Sequence, residues 1–537
     1  MTHEGPSGGH AGPAPEQSRS NERHASSSRS PHRRARRILG VTGTVLLTVL
    51  ALATMMVAGA MVSSRSMHQG VPTGQGRSVQ DTAGDVATAS AGVTGHTRPI
   101  VVAIVAGTAG TVASDLLAPY DIFASSPAFH PYVVAAHSGP VPLEGGPAVV
   151  PTHTFTDVDA DPALRPDLVV VPALSEPTGL TESALRNWVT TQHDRGAKVL
   201  GVCAGAVVLA DTGLLDGLHA TSHWSRIGAL QKSRPAVHWV RGRRWVEDGS
   251  VTTTAAVSSG VPGALHLVAE LAGPAEAQRV ANLHPELGWS PGQSTVIARD
   301  HFAIRDVPVG LNFVEPWFRP TVGIALDDGV DELDATAAFE VYTQSAAART
   351  VALSTGDTVR TRHGLTLLTT STHDAPSLSR IVVPGVHDID TGMQRWAASR
   401  QVDVEPLKSE TGDVGAGRSG GGFAAALQNL TDHSGVTTGA STAKMIGYPT
   451  THLDLTGGHH IVTRAMLLVA VSLLLAVLVG RAPALLSRRR HRRAGGLPRP
   501  REVPQVRRRA PHQPTIAREP ADGNLAISPA RQDAKSS

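Results

Sequence analysis

The chemistry this sequence can offer centres on one thiol. Cys203 is the only cysteine among 537 residues, and it lies in VLGVCAGAVVLADTGLLDGLHATSHW (Val199–Trp224), where an apolar strand-like run passes into a helix-like one. A side chain at such a turn is held over the carboxyl edge of a sheet, where open α/β folds bind ligands. Gly201 and Gly205 flank the cysteine at two-residue spacing and leave room for close backbone approach. The helix N-terminus behind it offers unpaired N–H groups, which favour thiolate over thiol and can hold an oxyanion. The competing reading is a small buried hydrophobe that never reacts, the usual fate of a free cysteine. One cysteine excludes an intramolecular disulfide and any cysteine-based zinc site, and neither a phosphate-binding loop nor an HExxH motif occurs. No cofactor or metal is expected on these grounds.

The elements that must position the thiol read as alternating strands and helices from Pro99 onward. Strands are expected at Ile100–Val105, Tyr132–Ala136, Asp167–Val171 and Lys198–Val202. Between and after them, helices are expected at Ala113–Ser125, Thr181–Asp194, Ala204–Asp211, Gly260–Leu271 and Pro274–His284. That alternation implies an α/β fold, a parallel sheet with helices on both faces. The same order then begins again. VAIVAGTAGTVASDLLAPYDIF (Val102–Phe123) parallels VGIALDDGVDELDATAAFEVY (Val322–Tyr342), which brings Asp115 over Asp334 and Asp121 over Glu340. DLVVVP (167–172) likewise parallels RIVVP (380–384). These matches imply two tandem copies, at 99–284 and 320–455, joined by a linker at 285–319. The second is degenerate: after Pro384 it has neither a cysteine nor a sharp strand-to-helix turn.

Charge and hydropathy place this pair of domains relative to a membrane. The net charge is only +3, yet RRARR (33–37) and RRRHRR (488–493) concentrate positive charge near the two ends. Ile38–Val62 is 25 residues without a charge, and Ile461–Gly480 carries only Arg464 near one end. Both have the length and composition of transmembrane helices. A cleaved signal peptide is the rival for the first, with Ala58-Gly59-Ala60 as a small-residue site. The arginine runs precede one span and follow the other, so both termini are expected in the cytoplasm and the domains outside it, in a two-pass membrane protein. Residues 1–37 and 481–537 are expected to be disordered basic segments able to meet anionic headgroups, and 63–98 a flexible stalk.

The cysteine segment resembles that of the ThiJ/PfpI superfamily, of class I glutamine amidotransferase-like, flavodoxin-type fold. The branch it resembles contains isonitrile hydratases and the N-terminal domains of AraC-type regulators, and DGSVTTTAAVSSGVPGALHLVAELAG (Asp248–Gly273) extends the likeness. The resemblance covers roughly Pro99–His284 and implies that Cys203 is the elbow cysteine. It implies that Asp115, in SDLLAPYDIF, reaches the thiol as proton partner or general acid/base, against the alternative of a helix-start carboxylate. His223, in ATSHW, matches a histidine near the elbow, against the alternative of a packed loop residue. Oxyanion donors would be the backbone N–H groups of Ala204, Gly205 and Ala173. The chain departs from the pattern at Pro172-Ala173-Leu174, where the enzymes have Pro-Gly-Gly, and at Gly260-Val261-Pro262, where the close branch has Gly-Ile-Asp.

Three functions follow. One is a membrane-anchored hydrolase or hydratase/lyase that uses Cys203 on a small electrophile. Another is a non-catalytic ligand or redox sensor, and the third is a structural envelope protein whose elbow is a relic. No helix-turn-helix module is recognisable, so a small-molecule substrate or ligand is expected as partner and nucleic acid is not. Homodimerisation is implied only by the resemblance.

Overall fold

The computed structural model describes residues 31–68, 98–285, 288–385, 389–407 and 422–450, with isolated positions between 453 and 477. Of the basic ends expected to be disordered at 1–37 and 481–537, all but 31–37, which is helical, lies outside the described residues, as do most of the stalk and most of the second apolar segment. The first apolar segment belongs to a helix, Pro31–His68, that continues past Val62 into the stretch expected as stalk. No breaker stops it there, since Gly70 and Pro72 are the first after it. Within it, Leu46–Ser64 has mean hydropathy 2.1 and is long and apolar enough to cross a membrane. It is the one such helix among the described residues.

A seven-stranded sheet organises residues 98–285, the first lobe. Its order is Trp245–Asp248, Val251–Thr254, Lys198–Gly201, Leu168–Val171, Ile100–Ala106, Phe129–Ala135 and His153–Thr154. All neighbours pair in parallel except the first two. Ile100–Ala106 is buried at every position, which is why it reads as a continuous apolar run rather than an alternating one. The second lobe carries a five-stranded parallel sheet of order Thr370–Ser371, Arg349–Ser354, Thr321–Ala325, Arg380–Val383 and Asp403–Pro406. Two further helices complete it, Gly422–Ser434 and Val436–Ile446.

The lobes meet through the helices Ala113–Ala124 and Glu332–Ser345, which pack on each other. Nearly every residue of both is buried, polar ones included: Ser114, Asp115, Asp121, Glu332, Asp334 and Glu340. A small mixed sheet crosses the same junction, with Leu367 opposite Val149 and Leu368 opposite Ala148. One hydrophobic cluster accordingly runs through both lobes, from Val102 and Leu116 to Phe339 and Leu427. The stretch 285–319, expected as a linker, contains the helix Val307–Val314, which packs on Pro31–His68 and on Val436–Ile446. Arg319 ties it to the apolar helix through a 2.6 Å bond from Nη2 to Ser63 Oγ.

Candidate functional site: a sealed elbow thiol

Cys203 lies between the strand Lys198–Gly201 and the helix Gly205–Thr212, with φ at 54°. A left-handed conformation at a residue with a Cβ is strained by about 1–2 kcal/mol, and surrounding bonds must hold it. Here the Cys203 N–H donates to Thr254 Oγ1 at 3.1 Å, and its carbonyl accepts from Ser222 Oγ at 3.1 Å. Gly205 is required by close approach, because a Cβ there would sit 2.0 Å from the Val171 carbonyl oxygen. The strand-to-helix turn is thus an elbow in geometry as well as in residue type.

The surroundings of the sulfur are acidic and dry. Cys203 is buried, and Asp115 is fully so. Asp115 Oδ2 accepts the Ala173 N–H at 3.0 Å, while Oδ1 has no hydrogen-bond partner among the described residues. From the second lobe, Glu340 reaches the same place, accepting from Ser114 Oγ at 2.5 Å. Burial pushes the Glu340 carboxyl up to about 7, against the Ser114 bond and helped by Glu144. Burial, then the Glu340 charge, holds Asp115 well above the usual carboxylate range, with the Ala173 N–H opposing. Burial, then Asp115 and Glu340, raises the Cys203 thiol well above its ordinary value. The Ala204 N–H bonds to the sulfur and, with Arg226, works the other way without prevailing. The helix N-terminus therefore loses to desolvation and like charge, and the thiol and both carboxyls are all raised above their ordinary values.

The remaining expected site residues are occupied elsewhere. His223 Nδ1 bonds to Ser225 Oγ and Nε2 to the Met445 carbonyl, both at 2.7 Å, so its ring belongs to the contact with the second lobe. Burial lowers its pKa. Of the three N–H groups suggested for an oxyanion, Gly205 donates to the Val202 carbonyl at 2.7 Å and Ala173 to Asp115. Ala204 faces the sulfur itself. Glu340 was not among the expected site residues. The signal that marks it was its register with Asp121, an acid at the same position in both central helices.

Beside the elbow, beyond Ser222 and Ala255, a cavity of about 420 Å³ opens between the lobes. Trp224, Arg241, Arg244, Arg305, Lys444 and Tyr448 are among its lining. Lys444 is paired with Asp306 and lies 5.2 Å over the Trp224 ring. Arg241 donates only to the Trp224 carbonyl among the described residues, at 3.2 Å. Burial lowers the Arg244 pKa.

A parallel α/β sheet with a left-handed cysteine between strand and helix defines the class of elbow-cysteine proteins. The DJ-1/PfpI family profile matches residues 101–270. An isonitrile hydratase of Pseudomonas putida is 33% identical over 168 residues, which are 31% of this chain and 70% of that protein. The transcriptional regulator CdhR of Pseudomonas aeruginosa is 34% identical over 150 residues, 28% of this chain and 43% of the regulator, so the match spans less than half of its length. A crystal structure of a ThiJ/PfpI family protein from Pseudomonas syringae is 27% identical, over 36% of this chain and 78% of that one, with a TM-score of 0.32. This chain belongs to the DJ-1/PfpI family. Its relatives include both an enzyme and regulators.

Proposed function

We propose that the chain is a membrane-tethered, ligand-binding member of its family whose elbow thiol is sealed rather than catalytic. The observation that carries this reading is Glu340, delivered by the second lobe against Ser114 and Asp115 beside Cys203. A nucleophilic cysteine needs thiolate character, access and a free oxyanion site. Here the thiol is buried and neutral, and two of the three candidate N–H donors are consumed within the fold. The adjoining cavity, with Arg241 and Arg244 on its wall, suits a small anionic ligand held between the lobes. Tandem duplication of one domain accounts for the second lobe. In each sheet the second, first, third and fourth long parallel strands in chain order lie side by side.

The tether is the helix containing Leu46–Ser64, with a second span at 461–480 and the lobes outside the cytoplasm. Single cysteines placed in residues 69–97 of a Cys203→Ala chain should react with a membrane-impermeant maleimide on intact cells. Labelling only after lysis refutes that orientation.

The sealed thiol is tested by alkylation of the full-length protein in detergent. Iodoacetamide should modify Cys203 at least about 100-fold more slowly in the folded than in the denatured chain. Glu340→Ala should shorten that gap. Modification at the rate of a free thiol, or turnover of an aldehyde or isonitrile abolished by Cys203→Ala, would restore the hydrolase or hydratase reading.

A further inference from the structure

We infer that the junction between the lobes holds a divalent metal of zinc type, ligated by Asp121, Glu332 and His363. The ligands come from both lobes: Asp121 from the helix Ala113–Ala124, Glu332 from the start of the helix Glu332–Ser345 and His363 from the turn before the strand Thr366–Leu368. Their donor atoms converge. His363 Nδ1 is 2.9 Å from Glu332 Oε2 and 3.5 Å from Asp121 Oδ1, while His284 Nε2, 3.7 Å from the same Asp121 oxygen, stands outside this set of three. Tetrahedral zinc with bonds of about 2.0–2.2 Å places its ligand atoms roughly 3.3–3.5 Å apart. The observed separations bracket that spacing.

The other oxygen of each carboxylate is already fixed, as metal ligands require of their supporting contacts. Glu332 Oε1 accepts from Thr361 Oγ1 at 2.6 Å and from the His363 N–H at 2.9 Å. Asp121 Oδ2 accepts the Leu333 N–H at 3.2 Å. Oε2 and Oδ1 are thereby turned towards the two imidazoles, with the Ser125 hydroxyl 3.2 Å from Oδ1. Charge points the same way. Neighbouring Asp331 has its own partner in Arg362, 2.7 Å away. Asp121 and Glu332 are both fully buried, and among the described residues their ion-pair partners are the imidazoles alone. Two buried carboxylates without a fixed cation are costly, and a divalent ion supplies the missing charge. Three protein ligands drawn from both lobes make the ion a staple between them, with the fourth position left to water.

The full-length protein in detergent, stripped with EDTA and titrated with Zn²⁺, should bind one equivalent and gain thermal stability. Asp121→Asn and His363→Gln should each weaken that binding at least about tenfold. His266→Gln, in the exposed Glu247, His266 and Glu270 group, should leave it intact. Should the junction variants fail to fold, Co²⁺ loading of the wild-type chain decides, because a four-coordinate N/O site gives an intense visible spectrum. The absence of a Zn²⁺-dependent stabilisation, retention of the equivalent by His363→Gln, or the weak spectrum of six-coordinate Co²⁺ would overturn the inference. A proton shared between Asp121 and Asp331 would then be the cluster's resolution.

Discussion

Replacing Glu340 by glutamine should make this protein more stable at alkaline pH and no different in acid. The wild-type carboxyl titrates at about 7 in the folded chain against an ordinary 4.5, with burial as the main cause. The folded state thus holds the proton more tightly, so stability from this group is complete below pH 4.5 and falls as pH rises towards 7. Above that, the full cost is present, on the order of 3 kcal/mol for a gap of that size. No discount for solvent applies, since only 4% of Glu340 is exposed. Asp115 is displaced in the same direction, so it adds to the slope and is relieved in part when the Glu340 charge is removed. Glutamine keeps the shape and an oxygen to accept from Ser114 but has no proton to lose. Urea unfolding of the full-length protein in detergent, followed by tryptophan fluorescence from pH 4.5 to 8.5, should show the two proteins converging in acid and diverging above neutrality. Equal pH dependence in both, or a variant less stable at pH 8, would refute the placement of this carboxyl against the thiol. Because the glutamine still fills the space, Cys203 should remain slow to alkylate in Glu340→Gln, unlike in Glu340→Ala.

Two backbone positions give further tests. Gly205→Ala drives a methyl group into the Val171 carbonyl and should cost roughly 3 kcal/mol or more, read as a loss of folded yield or a large fall in Tm; a variant as stable as wild type contradicts the elbow geometry. Gln401 ends the helix Thr391–Arg400 in a left-handed conformation, φ 56°, on the surface. Gln401→Gly should therefore stabilise by about 1 kcal/mol in the same unfolding assay, and a loss of stability would show that the side chain contributes more than its strain costs.

The first lobe was legible because its strands are buried on both faces. Ile100–Ala106 and Leu168–Val171 have no polar residue to blur the run, and the helices between them start and stop within a few residues of the positions read from the sequence. The helix pair Gly422–Ser434 and Val436–Ile446 was not anticipated. It follows a glycine-rich stretch and is built of small residues, yet Phe423, Ala426, Leu427 and Leu430 recur at helical spacing and are buried. The site was legible only where it is local. The turn at Cys203 follows from strand, glycines and helix in sequence. What surrounds it does not, because Ala173 and Asp115 are 58 residues apart, and His223 is held by Met445, 222 residues away. Long-range bonds of that kind leave no periodic or compositional mark.

The junction is reciprocal in construction and unequal in chemistry. The helix Ala113–Ala124 sends Asp121 across to the N–H of Leu333, and the helix Glu332–Ser345 sends Glu340 back to Ser114. On one side the arriving carboxylate meets a thiol and another acid, none of which can supply positive charge, so the pKa of each is raised. On the other it lies beside Glu332 and His363, with which it could share a cation. Separating the lobes would leave the Asp115, Glu340 and Cys203 group open to water, where its acids would ionise and the thiol would fall towards its ordinary pKa. The same separation would take Asp121 from Glu332. The second lobe therefore adds the Glu340 charge to the burial and the Asp115 charge that raise the first lobe's only thiol, and any ligand that alters how closely the lobes approach must work against both buried clusters at once.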